Sequence, residues 1–361
     1  MTRRLAEVAK KVGMSEATVS RVLNDRPGVS ESTRVAVLTA LDVLGYERPT
    51  QLRGLRSRLV GLVLPELQNP IFPAFAESVG AALAQNGFTP VLCTQTAGGV
   101  SEPEYVNLLL QQQVSGVVFF GGLYAQDDAS HAHYAQLFER GVPTVLLNAG
   151  TGALDFPRVC CDDAVAMEQA FGHLRQLGHE RIGLILGPQD HVPSNRKLAA
   201  AHGFAARSGV ELPERLVERA LFSLEGGQAA AGRLLRRGVT GIVCASDPLA
   251  LGAIRAARRH RLAVPEDLSV IGYDDSSFMT CTDPPLTTVR QPIEAMAKTA
   301  VDLLVSEIAG ARVDHDEVSF EPDLVVRGSS GPAPGHGAPP GPRQGPPGLA
   351  VPASGARSRM P

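Results

Sequence analysis

The stretch Ser15-Glu16-Ala17-Thr18-Val19-Ser20-Arg21-Val22-Leu23-Asn24 restarts an amphipathic pattern that begins at Met1 and breaks at Gly13. Gly13 suits the left-handed position of a sharp turn, and Ser15 can cap the helix that follows. On both sides of the break, apolar residues recur at helical spacing, at Leu5, Val8, Ala9, Val12, Val19, Val22 and Leu23. The pattern predicts two short helices joined by a tight turn, an arrangement that presents a helix end to the major groove of DNA.

A third helix is predicted between the capping residue Ser30 and Gly45, so that residues 1–46 form a three-helix headpiece with one small core. Arg21 is expected to reach a base edge, because a guanidinium matches the two acceptors of guanine in the major groove. Short polar groups nearby are expected to hold phosphates or bases, and these are Thr18, Ser20 and Asn24. Ser15, Glu16 and Ala17 complete the predicted DNA-binding set on the second helix.

Residues 5–24, together with Val29-Ser30-Glu31, Thr33-Arg34 and Leu44-Gly45-Tyr46, resemble the LacI family of bacterial repressors. The resemblance implies that the two positions after the capping serine set operator preference, and here they are Glu16 and Ala17. Glu16 can accept a hydrogen bond from a cytosine amine, or it can interact with the helix dipole in the first turn. Both interpretations stay open at this point.

Residues 47–58 are basic, are broken by Pro and Gly, and lack a sustained apolar face, so they are predicted to be a hinge linker. The resemblance implies a hinge leucine that wedges into the minor groove. Counting forward from Tyr46 gives Leu55, whereas counting back from Gly61 gives Leu52, so the hinge is about three residues shorter than is usual in the family. Two linker residues are expected to contact phosphates, Arg53 and Arg56.

Charge is distributed unevenly along the 361 residues. Residues 1–60 hold 11 Lys+Arg against 6 Asp+Glu, whereas the remainder holds 23 basic against 31 acidic residues. A basic head suits phosphate neutralisation, and the acidic remainder gives no sign of a second nucleic-acid surface. The five cysteines show no C-x-x-C spacing, and no apolar run approaches a membrane span or a signal peptide, so a cytoplasmic protein with reduced thiols is expected.

Beyond the linker, apolar strand-like runs alternate with helical patterns, which predicts an α/β core of parallel sheets wrapped by helices over residues 59–330. Two lobes are expected, with a boundary near residues 158–163 and a return crossing near residues 289–292. Residues 331–361 are rich in Pro and Gly and are predicted to form a disordered tail. The predicted strands are 59–64, 90–93, 116–120, 143–147, 182–186, 241–245 and 268–273, and the predicted helices are 75–85, 164–177, 228–237 and 248–259.

The core also resembles the LacI family, whose core is similar to periplasmic sugar-binding proteins, so that the resemblance covers roughly residues 4–328. The segments that carry it include Val60-Gly61-Leu62-Val63-Leu64-Pro65, Asn69-Pro70-Ile71-Phe72, Ala245-Ser246-Asp247, Val270-Ile271-Gly272-Tyr273-Asp274-Asp275 and Pro285-Leu286-Thr287-Thr288-Val289-Arg290-Gln291-Pro292. In open α/β sheets, ligands bind beyond the carboxyl ends of the strands, so two facing lobes form a cleft there.

The family positions imply which residues line this cleft. Asp274 matches the position that binds effector hydroxyls, although a loop cap is the simpler role for an Asp after a strand. Phe222 lies at the aromatic position, although an isolated Phe is usually a core residue. Arg196 is the candidate for the effector-binding arginine, with Asn195 and Lys197 as the neighbouring alternatives. The other candidates are Ile71, Phe72, Asn148 and Ser246.

We expect a sequence-specific transcriptional repressor that binds a roughly palindromic operator as a homodimer and is controlled by a small molecule. A sugar effector is favoured over a purine or another metabolite, and induction is favoured over corepression. Phe222–Gly227 and Asn69–Ala74 resemble maltose-operon repressors, which suggests maltose or a related α-glucoside as the effector. Enzyme motifs and metal-ligand spacings are missing from the sequence, so no catalytic site, metal or cofactor is expected. A sugar-binding transport protein is the other alternative, but it would need an export signal.

Overall fold

The headpiece consists of three short helices around one small core. In this computed structural model, residues 8–23, 28–43, 57–95, 98–148, 150, 152, 154–209 and 211–335 are described. Residues 8–12 are helical (α1), and α2 (Glu16–Leu23) and α3 (Glu31–Val43) follow. The predicted caps are confirmed, because the amide of Thr18 donates to Ser15 Oγ at 3.1 Å and the amide of Thr33 donates to Ser30 Oγ at 3.2 Å. The buried apolar residues are Val8, Ala9, Val19, Val22, Val37 and Ala40.

Lobe 1 is built on a six-stranded sheet in the order β11-β5-β4-β3-β1-β2, with every neighbouring pair parallel. Alternate residues of its strands face the two helical layers, because side chains point to opposite faces of a sheet. Leu62 packs in one apolar cluster with α4, and Val63 packs in the other with α5. The strands are β1 (Ser57–Leu64), β2 (Thr89–Thr94), β3 (Val114–Phe119), β4 (Thr144–Leu147), β5 (Arg158–Cys161) and β11 (Glu317–Phe320), and the helices are α4 (Ile71–Gln85), α5 (Glu102–Gln111), α6 (Ala132–Glu139) and α11 (Ile293–Ile308).

Lobe 2 is built on a second six-stranded sheet in the order β12-β10-β9-β8-β6-β7. Its strands are parallel except for β12, which pairs antiparallel with β10. The strands are β6 (Ile182–Leu186), β7 (Val217–Arg219), β8 (Gly241–Cys244), β9 (Ser269–Asp274), β10 (Thr287–Arg290) and β12 (Asp323–Val325), and the helices are α7 (Asp163–Gln176), α8 (Val192–Ser208), α9 (Leu224–Arg236) and α10 (Asp247–Arg259). The lobe 2 core and one face of lobe 1 form a continuous apolar cluster.

All predicted strands and helices of the core are confirmed. The sequence pattern missed the strands β5, β7, β10, β11 and β12, which have only three or four residues each. Runs this short do not produce a readable two-residue period. Their pairing partners on the neighbouring strands hold them in the sheets instead.

The chain passes between the lobes three times, after β5, after β10 and after β11. The first two crossings lie where the sequence placed them, near residues 158–163 and 289–292. The third, between Phe320 and Asp323, was not predicted. The two lobes are therefore joined by three segments, which follow β5, β10 and β11.

The predicted start of a disordered tail at residue 331 is wrong for residues 331–335. Gly331 donates its amide to Ser269 Oγ at 3.0 Å, and Ala333, which is buried, donates its amide to the carbonyl of Leu177 at 2.8 Å. The buried ring of His179 also contacts the Gly331 carbonyl at 3.0 Å. Backbone hydrogen bonds therefore extend the fold past the last strand despite the Pro and Gly content, and residues 336–361 lie outside the described residues.

Candidate functional site

The predicted DNA-binding residues run from the cap of α2 at Ser15 to Arg21 in its last turn. Ser15, Glu16, Ala17 and Arg21 are exposed, whereas Thr18 and Ser20 are half-buried. Ser15 and Thr18 are engaged in the helix cap, since their side-chain oxygens lie 2.9 Å apart. The remaining predicted contacts lie outside the described residues, namely Asn24 and the linker residues Leu52, Arg53, Leu55 and Arg56.

A cavity of about 310 Å³ lies between the two lobes. Its size is typical of small-molecule sites. Six of the seven effector-binding candidates line it: Ile71, Phe72 and Asn148 from lobe 1, and Phe222, Ser246 and Asp274 from lobe 2. The structure thus brings together residues that are up to about 200 positions apart in the chain.

Arg196 does not line the cleft, which corrects the expectation for this residue. Its guanidinium forms two hydrogen bonds with the Glu317 carboxylate, at 2.8 and 2.7 Å. Asn195 accepts from Arg219 at 2.7 Å and is also absent from the cleft wall, whereas Lys197 lines it. Successive residues of a helix point about 100° apart. For this reason Lys197 faces the cavity, whereas its neighbour Arg196 points away from it.

Asp274 is the most buried carboxylate of the cleft wall. It ends β9 with a backbone φ of 113°, a region that side chains other than glycine rarely occupy. The side-chain amide of Gln291 donates through Nε2 to Asp274 Oδ1 at 2.8 Å. The other atom of this amide, Gln291 Oε1, is buried without a partner in the described residues. Burial, and secondarily the neighbouring Asp247 carboxylate, raise the pKa of Asp274 well above its ordinary value. Asp274 and Gln291 therefore offer hydrogen-bonding groups to which a ligand in the cleft can bind.

Ser246 and Asp247 sit where β8 leads into α10. The Ser246 hydroxyl caps the helix by accepting from the amide of Leu249 at 3.4 Å. Asp247 accepts from the amide of Ser276 at 2.7 Å and from the Thr288 hydroxyl at 2.6 Å. Burial raises the pKa of Asp247 to about 6. Both residues therefore shape the cleft wall mainly by holding neighbouring segments.

Two aromatic rings line the cleft from opposite lobes. Phe72 belongs to α4 of lobe 1, and Phe222 precedes α9 of lobe 2. Both rings are half-buried, so part of each stays available to a ligand. An aromatic face can support the C–H face of a sugar ring while polar groups bind its hydroxyls.

His191 is a cleft residue that the sequence analysis missed. The amide of Ser194 donates to its Nδ1 at 3.3 Å, so the neutral ring carries its proton on Nε2. Burial lowers the pKa of His191 to about 4, which keeps the ring neutral near pH 7. The ring meets Phe222 edge to face, with centroids 5.1 Å apart. His191 can therefore act as a hydrogen-bond donor beside an aromatic surface.

Other missed residues of the cleft wall include Asn69, Gln126 and Gln291. A search of the segments just after each strand would have found Gln291, which follows β10, because ligands lie beyond the carboxyl ends of parallel strands. At the cleft mouth, the amide of Asp127 donates to the carbonyl of Asp190 at 2.9 Å, which joins the two lobes. Within the described residues, no group of three or more His, Cys, Asp or Glu is placed to hold a metal ion.

Among the described segments, no helix has both the length and the apolar character that crossing a membrane requires. The four cysteines in strands β2, β5 and β8 are buried, whereas Cys281 is exposed. All five are free thiols.

The headpiece and the lobes match two known domain families. Residues 4–49 match "Bacterial regulatory proteins, lacI family", and residues 171–330 match "Periplasmic binding protein-like domain". The HTH-type transcriptional regulator reg1 of Streptomyces lividans is 52% identical over 342 residues, which covers 93% of this chain and 99% of that protein. The HTH-type transcriptional regulator MalR of Streptomyces coelicolor is 51% identical over 93% of this chain and 98% of its own length.

Solved structures of similar proteins cover most of this chain. A complex of the transcriptional regulator CelR with cellobiose has a TM-score of 0.69 at 34% identity and covers 90% of this chain and 99% of that chain. The lac repressor dimer bound to operator and the anti-inducer ONPF has a TM-score of 0.68 at 30% identity and covers 90% of this chain and 98% of that chain. The relatives are transcriptional regulators and not enzymes. With its DNA-binding headpiece, its two-lobed core and relatives that match it over nearly their full length, the chain belongs to the lacI family of bacterial regulatory proteins.

Proposed function

We propose that this regulator is a cytoplasmic homodimeric repressor that releases its operator when maltose or a related α-glucoside binds between the lobes. The observation that carries the sugar assignment is the cleft itself. Aromatic rings at Phe72 and Phe222 face the cavity from opposite lobes, and the buried pair Asp274 and Gln291 lies in its wall. This combination suits a ligand with apolar ring faces and hydroxyl edges.

The mechanism follows from linkage between the cleft and the headpieces. A sugar that contacts both lobes binds better to one lobe arrangement than to another, and it shifts the population by that difference in affinity. A changed lobe arrangement alters the spacing of the two headpieces on a dimer, and a palindromic operator requires a fixed spacing. Operator affinity therefore falls as sugar binds, and by reciprocity operator DNA weakens sugar binding by the same factor.

The dimer supports recognition of two operator half-sites. On each headpiece, Arg21 is exposed in the last turn of α2, the helix whose first residues enter a major groove in this motif. In the linker, Arg53 and Arg56 remain predicted phosphate contacts, and either Leu52 or Leu55 remains the predicted minor-groove wedge. Glu16 and Ala17 remain the predicted specificity positions.

The sugar assignment is tested by titration calorimetry of the purified protein with maltose, cellobiose and a purine nucleoside. We expect maltose to bind and Asp274→Ala to abolish that binding, because the variant removes the carboxylate and leaves the Gln291 amide without its acceptor. A matched surface variant, Asp302→Ala, removes an exposed carboxylate of α11 and should bind like the wild type. A cellobiose or nucleoside signal without a maltose signal would replace maltose as the proposed effector.

The DNA assignment is tested on an operator selected from random duplex DNA with the wild-type protein. Arg21→Ala should lose about 1–3 kcal/mol of specific binding if it contacts a guanine with both of its donors. Sedimentation should show that the variant remains a dimer. Unchanged operator binding by Arg21→Ala would refute the assigned base contact. In a separate measurement, added maltose should release the wild-type protein from the operator.

A further inference from the structure

We propose that Arg196 and Glu317 form a salt bridge that holds the relative orientation of the two lobes, and that Asp163 and Lys197 connect this bridge to the effector cleft. We name these four residues the inter-lobe clamp. Only the effect of sugar on the clamp rests on the proposed function above. The clamp itself follows from contacts among the described residues.

The salt bridge joins the lobes directly. Arg196 lies on α8 of lobe 2, and Glu317 begins β11 at the edge of the lobe 1 sheet. The two parallel hydrogen bonds of 2.8 and 2.7 Å match the planar fork of a guanidinium to a carboxylate. The hydrogen bonds from Arg196 lower the pKa of Glu317, which keeps the carboxylate ionised. Because such a fork fixes both distance and orientation, it restricts rotation between the lobes.

The bridge is partly protected from water. The side chain of Arg196 is 36% exposed and that of Glu317 is 26% exposed. Arg158 of lobe 1 adds a second cation 3.8 Å from Glu317. A pair at this depth is screened less than a surface pair, so its geometry influences the lobe arrangement more strongly.

Asp163 connects the bridge to the cleft. It is the first residue of α7, directly after the first crossing between the lobes, and it is buried. Its Oδ2 lies 3.3 Å from Arg196 Nε, and its Oδ1 accepts from Lys197 Nζ at 2.7 Å. One buried carboxylate is therefore shared between the clamp arginine and a lysine that lines the cleft.

Lys197 is the only one of these four residues that a cleft ligand can reach in the described structure. Its Nζ also lies 4.3 Å from the ring centroid of Tyr273, so the lysine is held between a carboxylate and an aromatic face. A ligand oxygen that takes a hydrogen bond from Lys197 Nζ weakens the contact between Lys197 and Asp163. Asp163 then depends more on Arg196, and the change reaches the salt bridge to lobe 1.

The network is thus a physical link with a defined input and output. The input is a hydrogen bond between a ligand and Lys197, and the output is the strength of the salt bridge between Arg196 and Glu317. A buried charge must be paired, so removing one partner forces the others to rearrange. This is the property that a two-state coupling element needs.

The experiment measures the distance between the lobes by double electron–electron resonance. In a background carrying Cys281→Ser, spin labels are attached through Phe138→Cys on lobe 1 and Arg236→Cys on lobe 2, both at exposed positions. Labelled chains are diluted with unlabelled protein, so that most dimers carry one labelled chain. Thermal unfolding confirms that each variant is folded before its distances are compared.

We expect Glu317→Gln to shift or broaden the distance distribution without any ligand, because it removes the carboxylate that holds Arg196. We expect Lys197→Met to change it as well, although the ion pair of Lys197 is with Asp163 of lobe 2, and Lys197→Arg, which keeps the positive charge, to restore it. The double variant should change the distribution by less than the sum of the two single changes, since Glu317 contacts Arg196 directly and Lys197 reaches the same Arg196 through Asp163. The matched control is Glu168→Gln, which breaks an exposed ion pair between α7 and Arg207 of α8 within lobe 2 and should leave the distances unchanged.

Unchanged distances in Glu317→Gln would overturn the clamp. Changed distances in Glu317→Gln but not in Lys197→Met would overturn the connection to the cleft. In the presence of maltose, the factor by which sugar lowers operator affinity should fall about 2- to 30-fold in Glu317→Gln. If maltose does not bind the wild type, the proposed effector fails, while the ligand-free distances still decide the clamp.

Discussion

Replacing Glu102 by Gln tests whether a single buried carboxylate holds the cleft wall of lobe 1. Glu102 begins α5, its side chain is fully buried, and its carboxylate accepts four hydrogen bonds. The donors are Gln95 Nε2 at 2.9 Å, the amide of Leu123 at 3.1 Å, His133 Nε2 at 2.8 Å and the Tyr134 hydroxyl. Through Leu123, the carboxylate fixes residues 121–126, four of which line the cleft.

The expected loss of stability follows from this geometry. In Glu102→Gln, the new NH2 group faces either the pair Gln95 and Leu123 or the pair His133 and Tyr134, and both pairs donate in the wild type. His133 can change tautomer and accept, but at least one buried donor then lacks an acceptor. A lost hydrogen bond to a charged group costs about 1.5–3 kcal/mol, and an unsatisfied buried donor costs about 1–3 kcal/mol. The lower cost of burying a neutral amide offsets part of this, so we expect a net loss of about 3 kcal/mol.

Urea and thermal unfolding measure this loss. A change of about 3 kcal/mol should lower the midpoint temperature by about 6–12 °C in a domain of this size. Maltose affinity should fall in the same variant, because residues 121–126 lose a fixed position. Glu168→Gln, which alters an exposed carboxylate, should change stability by less than about 0.5 kcal/mol. A Glu102→Gln protein whose stability lies within about 0.5 kcal/mol of the wild type would refute the reasoning.

Two further predictions concern lobe 2. In Gly187→Ala, the added Cβ would overlap the ring of Phe222 and approach Ser194 Oγ to 2.7 Å, so we expect a loss of about 1–3 kcal/mol in urea unfolding and weaker sugar binding by calorimetry. Burial raises the pKa of Asp247 to about 6 from an ordinary 3.8, so the native state keeps a proton that the unfolded chain releases between these values. Wild-type stability should therefore fall relative to Asp247→Asn by up to about 3 kcal/mol as pH rises from 4 to 7, and a pH-independent difference between the two proteins would contradict this.

The sequence predicted features that depend on neighbours along the chain. The caps at Ser15 and Ser30 and the turn at Gly13 involve residues three or fewer positions apart, and the structure shows each of them. The longer strands and the helices α4, α7, α9 and α10 follow from apolar periodicity within one segment, whereas α5, α6, α8 and α11 were not predicted. Asp274 was found because it matches a family position directly after a predicted strand, and Phe222 was found because it matches the family's aromatic position.

The tertiary structure decided which side chains meet across the fold. Sequence reasoning placed Arg196 in the cleft, but Glu317, 121 positions away, binds its guanidinium at the edge of the other lobe. Likewise, Glu102 meets His133, 31 positions away, only because α5 and α6 pack on the same face of lobe 1. The period of a helix indicates which residues share a face. Because neighbouring residues are rotated by about 100°, Lys197 lines the cleft whereas Arg196 binds Glu317. That choice is made by the packing and charge of distant partners, because a buried ion must lie where its counter-ion is.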